Sequence, residues 1–169
     1  MLAAPRAITL WAQGQMPAPL TLKVGDIAPD FTLMDNNKQR ITLSQFRGKK
    51  NVALAFYDFA FTVSSTKHMQ NLQQNLAKLE SADTQVLGVS MDSPFSNAAW
   101  AEKISVTFPL LSDWGGEVTR AYGLYNEKYK IGRRVNFLID KDGKIIEIQA
   151  DNEAVDPTHL VTVCENRKK

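Results

Sequence analysis

Ser65 and His68 lie three residues apart, and Asp58 precedes Ser65 by seven. A hydroxyl, an imidazole and a carboxylate are the parts of a nucleophile–base–orienter chain, as in hydrolase triads. On a helix, a three-residue step puts Ser65 and His68 on one face. The same side chains also have a plainer reading, as helix cap and ion pair, which is the usual role of polar groups at a helix start. Sulfur chemistry is tightly bounded. The chain has one cysteine, Cys164, which excludes an internal disulfide and a Cys-type zinc cluster. The second histidine, His159, is remote from His68 and has no ligand-spaced neighbour, so neither a metal nor another cofactor is expected. Residues 140–143 (DKDG) echo a calcium loop but lack its remaining ligands, and read as a hairpin turn.

The elements that position these groups follow from periodicity. Residues 31–33 and 40–43 read as short strands around the turn Asp35-Asn36-Asn37, with Ile41 and Leu43 alternating with polar neighbours. Residues 51–57 (NVALAFY) are almost wholly apolar, the pattern of a central strand buried on both faces. Residues 64–81 carry Met69, Leu72, Leu76 and Leu79 at three- and four-residue steps, one apolar stripe of a helix that Ser64, Ser65 and Thr66 would open as capping hydroxyls. Residues 85–90 form a second buried strand, and 94–104 a helix with Pro94 in its first turn. There Phe95, Ala98 and Ala99 share a face, Trp100 and Ile104 form an apolar pair, and Phe95 and Trp100 are expected in the core. Residues 108–113 are a short extended piece. Residues 134–140 and 144–150 are strands joined at Lys141-Asp142-Gly143, and Asp156-Pro157 opens a last helix on which Val161 and Cys164 share a buried face. The order predicts an α/β domain, parallel in its first half and antiparallel near its end.

Composition narrows the function classes. A length of 169 residues suits one domain, and 44% hydrophobic with 22% charged residues excludes wholesale disorder. Twenty basic against 18 acidic residues, net +2, is too even for a protein built around nucleic acid or an anionic membrane. The longest apolar run, residues 52–57, is far short of the roughly 20 needed to cross a bilayer. Residues 1–21, with Pro5, Pro17, Pro19 and a single basic residue, are expected to be a loose arm rather than a secretory signal, which makes the cytoplasm the expected compartment. Residues 22–165 form the expected domain and 166–169 a solvated tail.

Four motifs in order, spanning about residues 23–150, make the chain resemble the peroxiredoxins of the alkyl hydroperoxide reductase/thiol-specific antioxidant family. They are VGDIAPDFTL (24–33), the loop FYDFAFTVSSTKHM (56–69), FPLLSD with RAYGLY (108–113 and 120–125), and RVNFLIDKDGKI (134–145). The resemblance implies a thioredoxin-like fold, a central mixed β-sheet flanked by helices. It also implies thiol-dependent reduction of hydrogen peroxide or organic hydroperoxides, recycling by an external thiol, and commonly a homodimer. In the family the loop runs from a proline through a threonine to the peroxidatic cysteine. With Thr62 on that threonine, Asp58 stands at the proline, Ser65 at the cysteine, and His68 where relatives often carry glutamate.

The family reaction needs a thiolate that attacks the O–O bond, forming sulfenic acid and releasing water or alcohol. A helix N-terminus and an arginine bring an ordinary thiol pKa of about 8.5 down to between roughly 3.5 and 7.5. A serine hydroxyl starts far higher and has no sulfenic acid to form, so the chain is expected to be inactive as a peroxidase. A lone cysteine-to-serine exchange would leave its neighbours on pattern. Asp58 and His68 depart as well, which favours a natural relative that lost the chemistry over a laboratory exchange made to trap a reduced-like state; both origins stay open. Several roles stay open at this stage. Thr62 either contacts the pocket's guest, as in relatives, or only holds the loop. Arg134 either retains a site for a peroxide or small anion or pairs with Asp58. Cys164 is a secondary thiol or a buried apolar filler, and Arg133 reads as a solvated strand-end charge. The rival to the enzyme lineage is a non-catalytic binding or regulatory module.

Overall fold

Residues 51–57 divide their side chains between two cores. Ala53, Ala55 and Tyr57 pack on one side of the sheet with Met69, Leu72, Trp100 and Leu160. Val52, Leu54 and Phe56 pack on the other with Phe31, Tyr122 and Phe137. A strand that must be apolar on both faces reads as a continuous hydrophobic run, and each large side chain so buried contributes about 1.5–3 kcal/mol. The computed structural model describes residues 19–167; residues 1–18 of the expected arm and Lys168 and Lys169 of the expected tail lie outside the described residues.

In chain order the strands are β1 (Thr32–Asp35), β2 (Arg40–Thr42), β3 (Asn51–Phe56), β4 (Thr84–Ser90), β5 (Leu110–Ser112), β6 (Tyr125–Asn126), β7 (Ile131–Gly132), β8 (Val135–Ile139) and β9 (Ile145–Ala150). The helices are α1 (Val63–Gln74), α2 (Leu76–Ser81), α3 (Pro94–Ile104), α4 (Glu117–Ala121), α5 (Asn152–Val155) and α6 (Thr158–Arg167). Seven strands form one mixed sheet in the order β2-β1-β5-β4-β3-β8-β9, and β6 and β7 make a separate ribbon. The pairs β3–β4 and β4–β5 are parallel, while β8 runs antiparallel to both β3 and β9. This is the thioredoxin-like arrangement expected, a mixed sheet between helical layers.

Several boundaries differ from expectation for local reasons. The helix expected over 64–81 is broken at Asn75, whose backbone (φ −101, ψ 3) caps α1, and whose Nδ2 donates to Asn71 O at 2.9 Å. An Asn side chain competes with the helix for backbone partners in this way. In α3 the buried face is Asn97, Trp100, Ala101 and Ile104. Phe95 is 69% exposed, so it is not core. It lies in the first turn, ahead of that stripe. The last helix runs to Arg167, two residues into the expected tail, and Asp156 Oδ1 accepts from Thr158 N at 3.0 Å at its start.

Gly88, at the middle of the sheet, is required by packing. A Cβ there would stand 2.6 Å from Leu110 Cδ2 and 3.3 Å from Tyr57 Cε1. Gly88→Ala is expected to lose about 1–3 kcal/mol of stability through overpacking. Urea unfolding, compared by midpoint at unchanged slope, measures this directly.

Candidate functional site

Strand register assembles the site. Phe56, the last residue of β3, pairs with Val135, the first of β8. Arg134 therefore emerges beside the loop that leaves β3 and carries Asp58. The loop is tied to its neighbours by Asp92, whose Oδ2 accepts from Ala60 N and from Ser90 Oγ, both at 2.9 Å. Phe61 turns the chain at φ 65, a left-handed conformation that costs a non-glycine residue roughly 1–2 kcal/mol. Thr62 follows as the N-cap of α1: its Oγ1 accepts from Ser65 N at 3.3 Å and donates to Phe59 O at 3.1 Å.

The capping function expected of Ser65 thus belongs to Thr62, three residues earlier. Ser65 is a helical residue, 0% exposed, and its Oγ has no hydrogen-bond partner. Arg134 Nη2 donates to Asp58 Oδ2 at 2.5 Å and to Ser64 Oγ at 2.8 Å. Of the two readings open for Arg134, the ion pair with Asp58 is the one present. The arginine side chain is only 10% exposed and its Nε is buried without a partner. Burial pushes the Asp58 carboxyl above its usual range; Arg134 opposes this and the nearby Asp151 charge adds to it.

His68 is fully buried at the same helix end, and its Nε2 lies 2.8 Å from Asn136 Oδ1. Asn136 Nδ2 is committed to Ala154 O at 2.9 Å and Gln149 Oε1 at 3.3 Å. Its Oδ1 therefore accepts, and Nε2 of His68 carries the hydrogen. Nδ1 is left as a buried lone pair without a partner. Burial lowers the His68 pKa to about 4, against the pull of the Asn136 hydrogen bond, so the ring is neutral at ordinary pH.

No Ser–His–Asp chain results. Asp58 serves Arg134, His68 serves Asn136, and Ser65 Oγ bonds to neither. Arg133, expected to be solvated, is instead paired bidentately with Asp151, Nε to Oδ1 at 2.9 Å and Nη2 to Oδ2 at 2.6 Å. Cys164 is buried in the helical-side core, its thiol pKa raised mainly by burial and eased by a hydrogen bond with Thr84. Thr84 begins β4, level with Asn51, whereas the site lies beyond Phe56 at the other end of the β3–β4 pair. At about 3.3 Å per residue the two ends are roughly 17 Å apart, so Cys164 is not a thiol of this pocket. Sequence reading missed Asn136 and Asp151, and gave Ser64 only a capping role, whereas its Oγ accepts from Arg134. The one usable signal was Asn136 itself, an amide inside the apolar strand RVNFLID, since a buried polar group must have a partner.

Comparison with known proteins agrees with the fold. The AhpC/TSA family model matches residues 24–148. The chain is 42% identical over 126 residues to alkyl hydroperoxide reductase E of Mycobacterium tuberculosis, covering 73% of this chain and 82% of the relative. It is 38% identical over 136 residues to peroxiredoxin Bcp of Escherichia coli, covering 77% and 86%. Among solved structures, peroxidoxin BcpB of Mycobacterium tuberculosis superposes with a TM-score of 0.80 at 26% identity, over 88% of this chain and 99% of the other.

His68 makes stability pH-dependent with a defined sign. Folded, it resists protonation down to about pH 4; unfolded, it protonates near 6.5. Between those values the unfolded state binds more protons, so stability present above pH 6.5 falls as pH drops toward 4, by up to about 3 kcal/mol. Asp58, with its raised pKa, acts in the opposite sense, so the difference between variants is the quantity to read. His68→Gln, which keeps a donor for Asn136, is expected to flatten the loss between pH 6.5 and 4. An unchanged slope in urea titrations across that range would count against the assignment.

Proposed function

Since the chain belongs to the AhpC/TSA family of peroxiredoxins, whose lineage reaction is peroxide reduction, we propose that this member has lost that reaction and acts as a non-catalytic thioredoxin-fold module. The observation that carries the reading is the buried hydroxyl of Ser65 in the first turn of α1, the turn whose Ser64 bonds an arginine already held by Asp58. A peroxidase step here would need a sulfur nucleophile to take one peroxide oxygen while the other leaves as water or alcohol, and then a thiol reductant to recycle the sulfenic acid. An oxygen nucleophile gains nothing comparable. The helix terminus, worth about 0.3–1 kcal/mol, cannot make a serine alkoxide at neutral pH. Cys164 does not substitute, because it is buried at the opposite end of β3 and β4. A lone buried thiol also fits a reducing compartment, in keeping with a cytoplasmic protein.

The partner supported by the surface is a second copy of the chain. Phe59, Phe61 and Val63 follow β3, Phe95 follows β4 and Trp114 follows β5, so these parallel strands deliver five exposed apolar side chains (41–88% exposed) to one end of the sheet. An apolar face of that kind marks an interaction site. Trp114→Glu with Phe95→Glu is expected to convert a dimer to monomer by sedimentation; a wild-type monomer at high micromolar concentration would remove the dimer.

With dithiothreitol as reductant, the protein is expected to consume hydrogen peroxide no faster than a no-protein control. Turnover that survives alkylation of Cys164 would overturn the non-catalytic reading. Ser65→Cys alone is expected to recover little, because Asp58 holds the guanidinium that would favour the thiolate. Ser65→Cys with Asp58→Pro is expected to exceed it at least tenfold, the equivalent of about 1.4 kcal/mol.

A further inference from the structure

Two adjacent arginines pair with carboxylates in different ways. Arg133 meets Asp151 with two parallel bonds, from Nε and Nη2. Arg134 meets Asp58 through Nη2 alone, and its Nε is buried with no acceptor. A guanidinium–carboxylate pair gains strength and geometry from the two-bond fork, so the Asp58 contact leaves part of the Arg134 binding capacity unused. Beside it stands Ser64 Oγ, 2.8 Å from Nη2, in the first turn of the twelve-residue helix α1, where the next residue, Ser65, has a buried Oγ without a hydrogen-bond partner. A helix N-terminus with an under-used arginine favours a negative guest. The Asp58 side chain is 27% exposed, so it can be rehydrated by turning outward.

We propose that Asp58 is an autoinhibitory carboxylate: it occupies Arg134 in place of an external anion, and its withdrawal opens a site for a small monovalent planar oxyanion bound through Nε and Nη2. Two oxygens of a carboxylate match the Nε–Nη2 edge, as Asp151 matches it on Arg133. Asp58 is tethered only part-way across that edge and is itself opposed by Asp151, while Arg133, bonded to Asp151, offsets some of that repulsion. The neutral, buried His68 adds no positive charge to the site, so Arg134 and the helix end carry the recognition. This inference rests on the non-catalytic reading only in that position 65 holds no thiolate to compete for the guanidinium.

The test is titration with sodium formate in low-chloride buffer, without peroxide, read from the Arg134 Nε–H resonance and from binding heat. Asp58→Asn is expected to bind formate at least tenfold more tightly than the wild-type chain, with a large shift of that resonance. Asp58→Ser, which removes the carboxylate with less bulk, is expected to do the same and serves if the first variant is unstable. The added Arg134→Gln substitution is expected to abolish the gain. Equal affinity in the wild-type and both Asp58 variants, or a gain that persists without Arg134, would overturn the proposal. Peroxide turnover by the unmodified chain would instead count against the non-catalytic reading and leave the formate result standing.

Discussion

Arg134 carries a permanent charge on a side chain nine-tenths withdrawn from water, and a charge in that position needs an opposite one beside it. Asp58 supplies that opposite charge, and the hydroxyls of Ser64 and Ser65 in the first turn of α1 are neutral. Without Asp58, which meets it at 2.5 Å, the guanidinium would be left uncompensated. The carboxylate is itself half-buried and pressed by Asp151, so its pKa rises even with the cation in contact. The pair is a compromise between two desolvated groups, which is why one edge of the guanidinium stays unsatisfied.

The scaffold that holds this pair is built from strand pairing. Parallel β3, β4 and β5 deliver three loops to one end of the sheet, antiparallel β8 and β9 bring Arg134 and Asp151 to the same end, and Asp92 binds the first loop to the second. Beneath them the His68–Asn136–Gln149 chain fills a polar space inside the core with neutral groups. Function has therefore to be argued from the site and not from the fold.

How much of this could be read from the chain alone varied residue by residue. The apolar run NVALAFY could only be a strand buried on both faces, and it is. The proline-initiated α3 spans 94–104 as expected. Phe95 lies outside the core because a hydrophobic residue in a first helical turn can precede the buried stripe, and Arg133 is paired because its carboxylate lies 18 residues away, beyond any local pattern. Ser65 reads as a cap in the sequence because hydroxyls at positions 62, 64, 65 and 66 are indistinguishable until the helix start is known to within one residue.

By itself the sequence determined the alternation of strands and helices, the family pattern, and the absence of sulfur at position 65, because these depend only on residue types at short spacing. Tertiary structure decided which charges meet. Asp58 and Arg134 are 76 residues apart, and His68 and Asn136 are 68 apart. Only the pairing of β3 with β8 brings each of those partners within bonding distance. Burial, which turns a surface carboxylate into a raised-pKa counter-ion and an ordinary histidine into a neutral one, is likewise a property of packing that no local stretch of chain encodes.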